Sequence, residues 1–449
     1  MNVGLGRRGR GTAGCIALAC AAGAPGQCPS SWSEGFGVPG YGMNDAVEAL
    51  AVFDDDGVGP NPPALYAGGW FASAGGSGAA HVARWTGSGW AALGSGTTGT
   101  YVQALAVHGG VLYAGGLFDN AGGVAAINVA RWDGSAWSAC GLGLSDRVYA
   151  LASHDDGTGP ALYAGGEFVW TGGTMLAGKV ARWNGASWSS VGAGINQTAH
   201  VLAVHDDGTG PALYCGGFFA VAGNFIAKWN GFNWSPLGIG MNSTVYALAS
   251  FDEDGPGPNH ARLYAGGYFD NAGGVTVNRV ARWNGASWSG LNGGIGGVSS
   301  PFVYALHVFD DGGGPALYVG GDFNVAGGVA AKGIARWDGS AFTALGAGLG
   351  GSFPWTFALA DFDDGTGPAL YVGGTFETTG GVPARNIGRW GCTPCYPDCN
   401  NSGTLTVADF GCFQGKYVLS DLYADCNASG TLTVADFGCY QGKYVLGCP

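Results

Sequence analysis

Short apolar runs broken by glycine, asparagine and proline organise this chain from residue 31 to residue 390. No window there sustains a 3.6-residue period for three turns, which argues against helix and for strands joined by tight turns. The runs recur. Leu-Tyr-x-Gly-Gly stands at 65–69, 112–116, 162–166, 213–217, 263–267, 317–321 and 370–374. Each copy is followed by Arg-Trp or Lys-Trp, with the Trp at 85, 132, 183, 229, 283, 337 and 390. The Trp spacings of 47, 51, 46, 54, 54 and 53 fall in the range of propeller blades rather than helical solenoids.

The third unit shows how one repeat divides. Residues 148–154, 161–168, 179–183 and 187–191 read as four strands. Asp-Asp-Gly-Thr-Gly-Pro at 155–160 joins the first pair, and Asn184-Gly185 joins the last. The second strand does not alternate polar with apolar: Leu162 and Ala164 face one way, Tyr163 and Gly165 the other. Both faces then need cover, as in sheets stacked between two neighbours. Small residues would let sheets approach closely, while Tyr and Trp fill the wider outer gaps. A stacked β-solenoid meets the same condition but needs end caps.

The two ends of the repeat region speak for closure. The seventh unit stops at Trp390 without a fourth strand, and a segment resembling Ser187-Trp188-Ser189 appears at Ser31-Trp32-Ser33. The expected fold is all-β over 27–391: a seven-bladed β-propeller of four-stranded blades closed by the N-terminal strand. Cys28 would then lie near Cys392 and Cys395, where a disulfide could staple the ring.

Composition narrows the functional classes. Glycine supplies 90 of 449 residues without a Gly-X-Y period, and 16 Trp accompany it, so collagen and disorder are both disfavoured. Net charge is −13 with only 18 Lys and Arg, which argues against nucleic acid and anionic membrane surfaces as partners. Arg7, Arg8 and Arg10 ahead of a small apolar stretch at 11–22 read as a signal peptide over residues 1–26, and hence as a secreted or cell-surface protein. No later stretch is apolar for 18 residues, so no transmembrane segment is expected. Seven of the 12 cysteines crowd into 392–448, which fits disulfides in an exported chain. Zinc at Cys392-Thr-Pro-Cys395 is the alternative.

No catalytic constellation stands out. Fourteen of the 31 acids sit in the loops between first and second strands, from Asp54-Asp55-Asp56 to Asp363-Asp364. They read as turn-capping residues, or as an acidic rim for cations or basic partners. His108, His154 and His205 share a slot with Phe53, Phe251, Phe309 and Phe362, the mark of aromatic packing. Arg84, Arg131, Arg182, Lys228, Arg282, Arg336 and Arg389, each beside a Trp, read as stacking and hydrogen bonding between blades. Ala-Gly-Gly-Val loops at the opposite end could present backbone donors and aromatic edges to a glycan or protein ligand, or simply be tight turns.

The segment after the repeats carries a metal pattern. Asp398, Asn400, Ser402, Thr404, Thr406 and Asp409 occupy positions 1, 3, 5, 7, 9 and 12 of a loop with Gly403 at position 6. Asp425, Asn427, Ser429, Thr431, Thr433 and Asp436 repeat it 27 residues later around Gly430. Such a run of oxygens around a Gly turn suits Ca2+, two ions in all, Thr404 and Thr431 offering backbone carbonyls. Asp at position 12 and Ser at position 5 imply modest affinity; ion-free Asx-turns are the alternative. Each loop leads into a helix, 407–419 and 434–446, with Phe410, Phe413, Tyr417 and Phe437, Tyr440, Tyr444 on one face.

This tail, 392–449, resembles a dockerin: a small α-helical module with paired EF-type loops. Asp-Cys-Asn…Val-Ala-Asp-Phe-Gly-Cys is similar to the Gly-Cys-type modules that end large exported proteins of planctomycete-type bacteria. The resemblance implies a cohesin-like or other cell-surface receptor for residues 395–449, met near Val407, Ala408, Val434 and Ala435. Cellulosomal forms usually carry Ser or Thr at those four places. The repeats resemble bacterial kelch-like rings. Together they imply a non-catalytic extracellular binding or structural propeller; a carbohydrate-active enzyme or lectin on the same tail is the alternative.

Overall fold

The structure, a computed structural model, describes residues 30–33, 42–57, 59, 61–171, 175–176, 178–220, 223–255, 260–392, 407–418, 437–438 and 440–441. Two compact units divide the chain: Pro29–Pro394, and Met1–Cys28 together with Cys395–Pro449.

The larger unit is all-β. Seven antiparallel sheets follow one another, each ordered first-second-third-fourth strand; the second sheet gains a short fifth strand, Val124–Ala125. In the third sheet the strands are Val148–Asp155, Pro160–Gly166, Val180–Trp183 and Trp188–Ser190, close to the spans expected from the sequence. The Asn184 side chain accepts from the amides of Ala186 and Ser187, which fixes the turn into the last strand.

The seventh sheet is completed from the other end of the region. Its strands are Trp355–Asp363, Pro368–Thr375 and Ile387–Cys392, and its fourth is Ser30–Trp32. Trp32 stands opposite Trp390, Ser31 opposite Gly391 and Ser30 opposite Cys392. Trp32 also makes the contact expected of a fourth-strand Trp. Its Nε1 donates to the Leu345 carbonyl at 2.9 Å, as Trp188 donates to Cys140 at 3.0 Å and Trp234 to Val191 at 3.2 Å.

The core lies between sheets. Seven apolar clusters each draw on two consecutive sheets. One of them joins the seventh to the first through Tyr371, Ile387, Val47 and Leu65. The first strands likewise touch in cyclic order, the last returning to the first. Second strands are buried on both faces, as in Ala64–Gly69.

The Gly-Gly pair is what permits that packing. A Cβ on the first glycine would run into the next sheet: Gly68 would meet Val102 at 2.7 Å, Gly216 would meet Val245 at 2.6 Å, and Gly373 would meet Val47 at 2.6 Å. A Cβ on the second would strike the backbone beside its own sheet's first strand, as Gly267 would strike the Thr244 carbonyl. There the register shifts between Val245 and Ala247.

In the smaller unit the helix Val407–Val418 forms where expected. Phe413 and Tyr440, both fully buried, stack with centroids 3.8 Å apart, and Phe410 meets Phe437 at 5.5 Å. The two aromatic faces therefore pack together, the usual way a small module builds a core. Among the described residues no helix is long and apolar enough to cross a membrane.

Candidate functional site: an aromatic channel among the first strands

Each first strand sends one side chain, at the place after Val47 in the first sheet, into a shared channel. The seven are Glu48, Gln103, Tyr149, His200, Tyr246, Tyr304 and Phe357. The flanking positions keep Ala or Val and then Leu, as in Ala49-Leu50 and Ala150-Leu151, because they pack against neighbouring sheets. The fold demands those residues, whereas the ring position holds five residue types among the seven sheets, Tyr at three of them.

Five of the seven form a continuous arc of rings. Tyr149 meets His200 at 4.9 Å, His200 meets Tyr246 at 4.9 Å, Tyr246 meets Tyr304 at 5.5 Å and Tyr304 meets Phe357 at 5.2 Å. These are offset and edge contacts that favour aromatic pairs. Glu48 and Gln103, which hydrogen-bond to each other, close the circle. The seven side chains line a space of about 120 Å3 and, with the Ala, Val and Leu residues that follow them, another of about 240 Å3. Gln103 Oε1 has no hydrogen-bond partner among the described residues.

The electrostatics are set by Glu48. Its carboxylate accepts from Trp70 Nε1 at 3.1 Å and makes no ion pair among the described residues. Burial pushes its carboxyl up to about 7, against the lowering effect of the Gln103 and Trp70 hydrogen bonds, with Asp45 raising it further. Burial drives the His200 imidazole down to about 4, so it is neutral at pH 7. Glu48 is therefore the one group of the ring that changes charge near neutrality.

The ring residues stand near the start of their strands, beside the end that carries the fourth-to-first and second-to-third strand loops. Trp70, 42% exposed, packs against Tyr101 at 4.4 Å. Phe302 stacks on Tyr268 at 4.5 Å and on Tyr304 at 5.4 Å, and the Arg279 guanidinium lies over Tyr268 at 4.7 Å. Of the six exposed aromatic residues described, Trp70, Trp170, Phe218, Tyr268 and Phe353 share this end and only Phe232 lies at the other. Such clustering departs from the scatter expected of incidental surface rings.

The acidic loops at the other end are absorbed by the fold. The first acid caps its turn: Asp155 Oδ1 accepts from Gly157 at 2.9 Å and Gly159 at 3.0 Å. The second pairs with the cation of the same sheet in five of the six acidic loops, the third sheet's Asp156 excepted. Asp207 holds Lys228 at 2.6 Å and the Tyr214 hydroxyl at 3.0 Å, and Asp55 likewise meets Arg84 at 3.2 Å and Tyr66 at 3.2 Å. This corrects the expectation that the repeated cations bridge blades: their strand position puts them beside their own sheet's loop. Bridging passes instead to Trp229, whose Nε1 lies 3.5 Å from Asp156 of the preceding sheet. Asp54, Asp55 and Asp56 are close enough to surround an ion, yet Asp55 is committed to Arg84 and Asp54 to the Gly57 amide.

His154 and His205 are buried and pack on Tyr163 at 5.8 Å and Tyr214 at 5.4 Å, matching Phe53 on Tyr66 at 5.6 Å. The slot is an aromatic one, as expected. Among the expected calcium ligands, Asp409 falls within the helix Val407–Val418. The remaining eleven, and Cys28 and Cys395, lie outside the described residues. Sequence reasoning did not single out the channel ring. The signal was available as the one position of the first strand whose residue changes in almost every repeat.

No family model and no curated protein matches this chain. Two solved chains from B. thetaiotaomicron are similar to it. Both are extracellular domains of BT4673, described in one case as a hybrid two component system and in the other as a one component system. The first is 11% identical with a TM-score of 0.47 over 80% of this chain, the second 10% identical with a TM-score of 0.47 over 82%. This chain spans 40% of the length of each.

Proposed function

We propose that this chain is an exported, non-catalytic binding protein: a seven-bladed β-propeller that receives its ligand at the aromatic end of the central channel. A calcium-dependent dockerin-like tail holds it at the cell surface. The observation that carries the binding role is the ring of Glu48, Gln103, Tyr149, His200, Tyr246, Tyr304 and Phe357. A purely structural ring would repeat one residue there, as it repeats Ala and Leu beside it. A symmetric scaffold carrying an asymmetric, partly apolar concavity with few polar groups has the makeup of a ligand site.

The cyclic contacts of the first strands, the cluster joining the seventh sheet to the first, and the Trp32–Trp390 pairing support the propeller. The tail rests on its two loop patterns and on the aromatic packing of Phe413 with Tyr440. A lectin, or a carbohydrate-active enzyme on the same tail, is the second reading, favoured by Trp70, Trp170, Phe218, Tyr268 and Phe353 sharing one end. Aromatic faces of that kind can stack on sugar rings.

The test is a ligand screen of the full chain, by glycan array and by thermal shift with small organic cations, anions and neutral compounds. Trp70→Ala and Tyr304→Ala variants serve as controls. A hit lost in both variants is the expected result. Hits indifferent to both would place the site elsewhere, and hydrolysis of a bound glycan would turn the reading to an enzyme.

A further inference from the structure

Glycan platforms are broad, but the space bounded by the seven ring side chains is not. Its volume of about 120 Å3 is close to the ~150 Å3 that holds one benzene. One small head group fills the space between the seven side chains. What surrounds that space is an arc of five rings closed by a carboxyl and a carboxamide. Ring faces attract cations through their quadrupoles, most strongly where water is scarce. Glu48 supplies the countercharge. An anion would face a carboxylate and a neutral His200, with no cation in the ring.

Resting on the binding site proposed above, we infer that the ring formed by Glu48, Gln103, Tyr149, His200, Tyr246, Tyr304 and Phe357 is a cage for an organic ammonium group. The rest of the ligand extends toward Trp70, Tyr101 and Phe302 at the mouth.

The cage couples binding to protons. Free Glu48 is half protonated near pH 7, and a bound cation stabilises its carboxylate, so occupancy releases a proton and affinity rises with pH. The groups facing Glu48 do not mask this. Asp45 acts on it from its own sheet, and Tyr101 and Tyr304 feel its charge. Tyr149 and Tyr246 titrate far above neutrality, His200 is neutral above about 4, and the seventh sheet contributes Phe357, which does not titrate.

The experiment is isothermal titration calorimetry of the full chain with choline and with 3,3-dimethyl-1-butanol, its uncharged isostere, at pH 8 and pH 5.5. Choline is expected to bind saturably at pH 8, at least about tenfold tighter than the isostere, as a charge-assisted contact implies. Affinity should fall about tenfold or more at pH 5.5, and by a similar factor in Glu48→Gln at pH 8. Equal binding of choline and isostere would overturn the ammonium assignment while leaving the channel a binding site. Binding of neither would overturn the ammonium cage, and the ligand screen with Trp70→Ala and Tyr304→Ala then decides whether the channel binds at all. Undiminished choline binding by Glu48→Gln would also contradict the cage.

Discussion

Trp32 pairs with Trp390 in an antiparallel ladder, their rings edge to face with centroids 5.3 Å apart. The same tilted Trp pair recurs within other sheets, as Trp183 with Trp188 at 5.3 Å and Trp229 with Trp234 at 5.4 Å. A segment from one end of the region thus occupies a slot that the repeat fills locally elsewhere. Closure of this kind leaves no sheet edge open at the junction.

The junction depends on glycine as much as on tryptophan. Gly373 is where the seventh sheet meets Val47 of the first. Gly373→Val should cost about 1–3 kcal/mol or more by overpacking, read as a lowered urea midpoint. Gly89, with open space around its Cα, should accept Ala within about 0.5 kcal/mol. Equal effects of the two would contradict the close approach.

The acid–cation–tyrosine groups predict an acid limb of stability. Burial alone would raise the Asp207 carboxyl, but hydrogen bonds from Lys228, Thr209 and Tyr214 outweigh it and hold it well below the usual carboxylate range. Its contribution is therefore complete above the unfolded value near about 4 and is lost as pH falls through the folded one. Asp207→Asn should cost about 1.5–3 kcal/mol at pH 7 and flatten the fall in stability below pH 4. Parallel pH profiles for variant and wild type would refute this.

Glu48 predicts the opposite slope. Its carboxyl rises from 4.5 to about 7 on folding, so between those values the folded chain keeps a proton that the unfolded chain releases. Stability then declines as pH climbs through that window. Glu48→Gln should remove the decline and gain on the order of 1–2 kcal/mol at pH 8, after allowing for water in the channel. Denaturation midpoints at pH 5, 6, 7 and 8 check it; a variant no more stable at pH 8 would count against a desolvated carboxyl.

For the tail, calorimetry with Ca2+ should show two ions bound with dissociation constants on the order of 10–100 µM, given two acids per loop. Asp398→Ala with Asp425→Ala should abolish the heat. No heat in the wild-type chain, and a melting temperature unchanged by chelator, would remove the ion from the account.

Much of the fold was legible because the repeat writes it seven times. Leu-Tyr-x-Gly-Gly must be buried on both faces, and the missing fourth strand after Trp390 has its counterpart at Trp32. The roles of the repeated cations were misread, because a strand pattern does not say which loop a long side chain reaches; Arg84 turns back to Asp55 of its own sheet. The channel ring was overlooked for a different reason. Recurrence marks the fold, while Glu48, Gln103 and His200 sit where recurrence stops. Only the cyclic packing of first strands brings those positions together.

Hydrogen exchange tests the borrowed strand most directly. In the full chain, the peptide containing Ser30–Trp32 should be protected as strongly as Trp188–Ser190, the corresponding strand of the third sheet. Exchange of that peptide at the rate of an unstructured chain, with Trp188–Ser190 still protected, would mean that the seventh sheet ends at Cys392 and is not closed by Trp32.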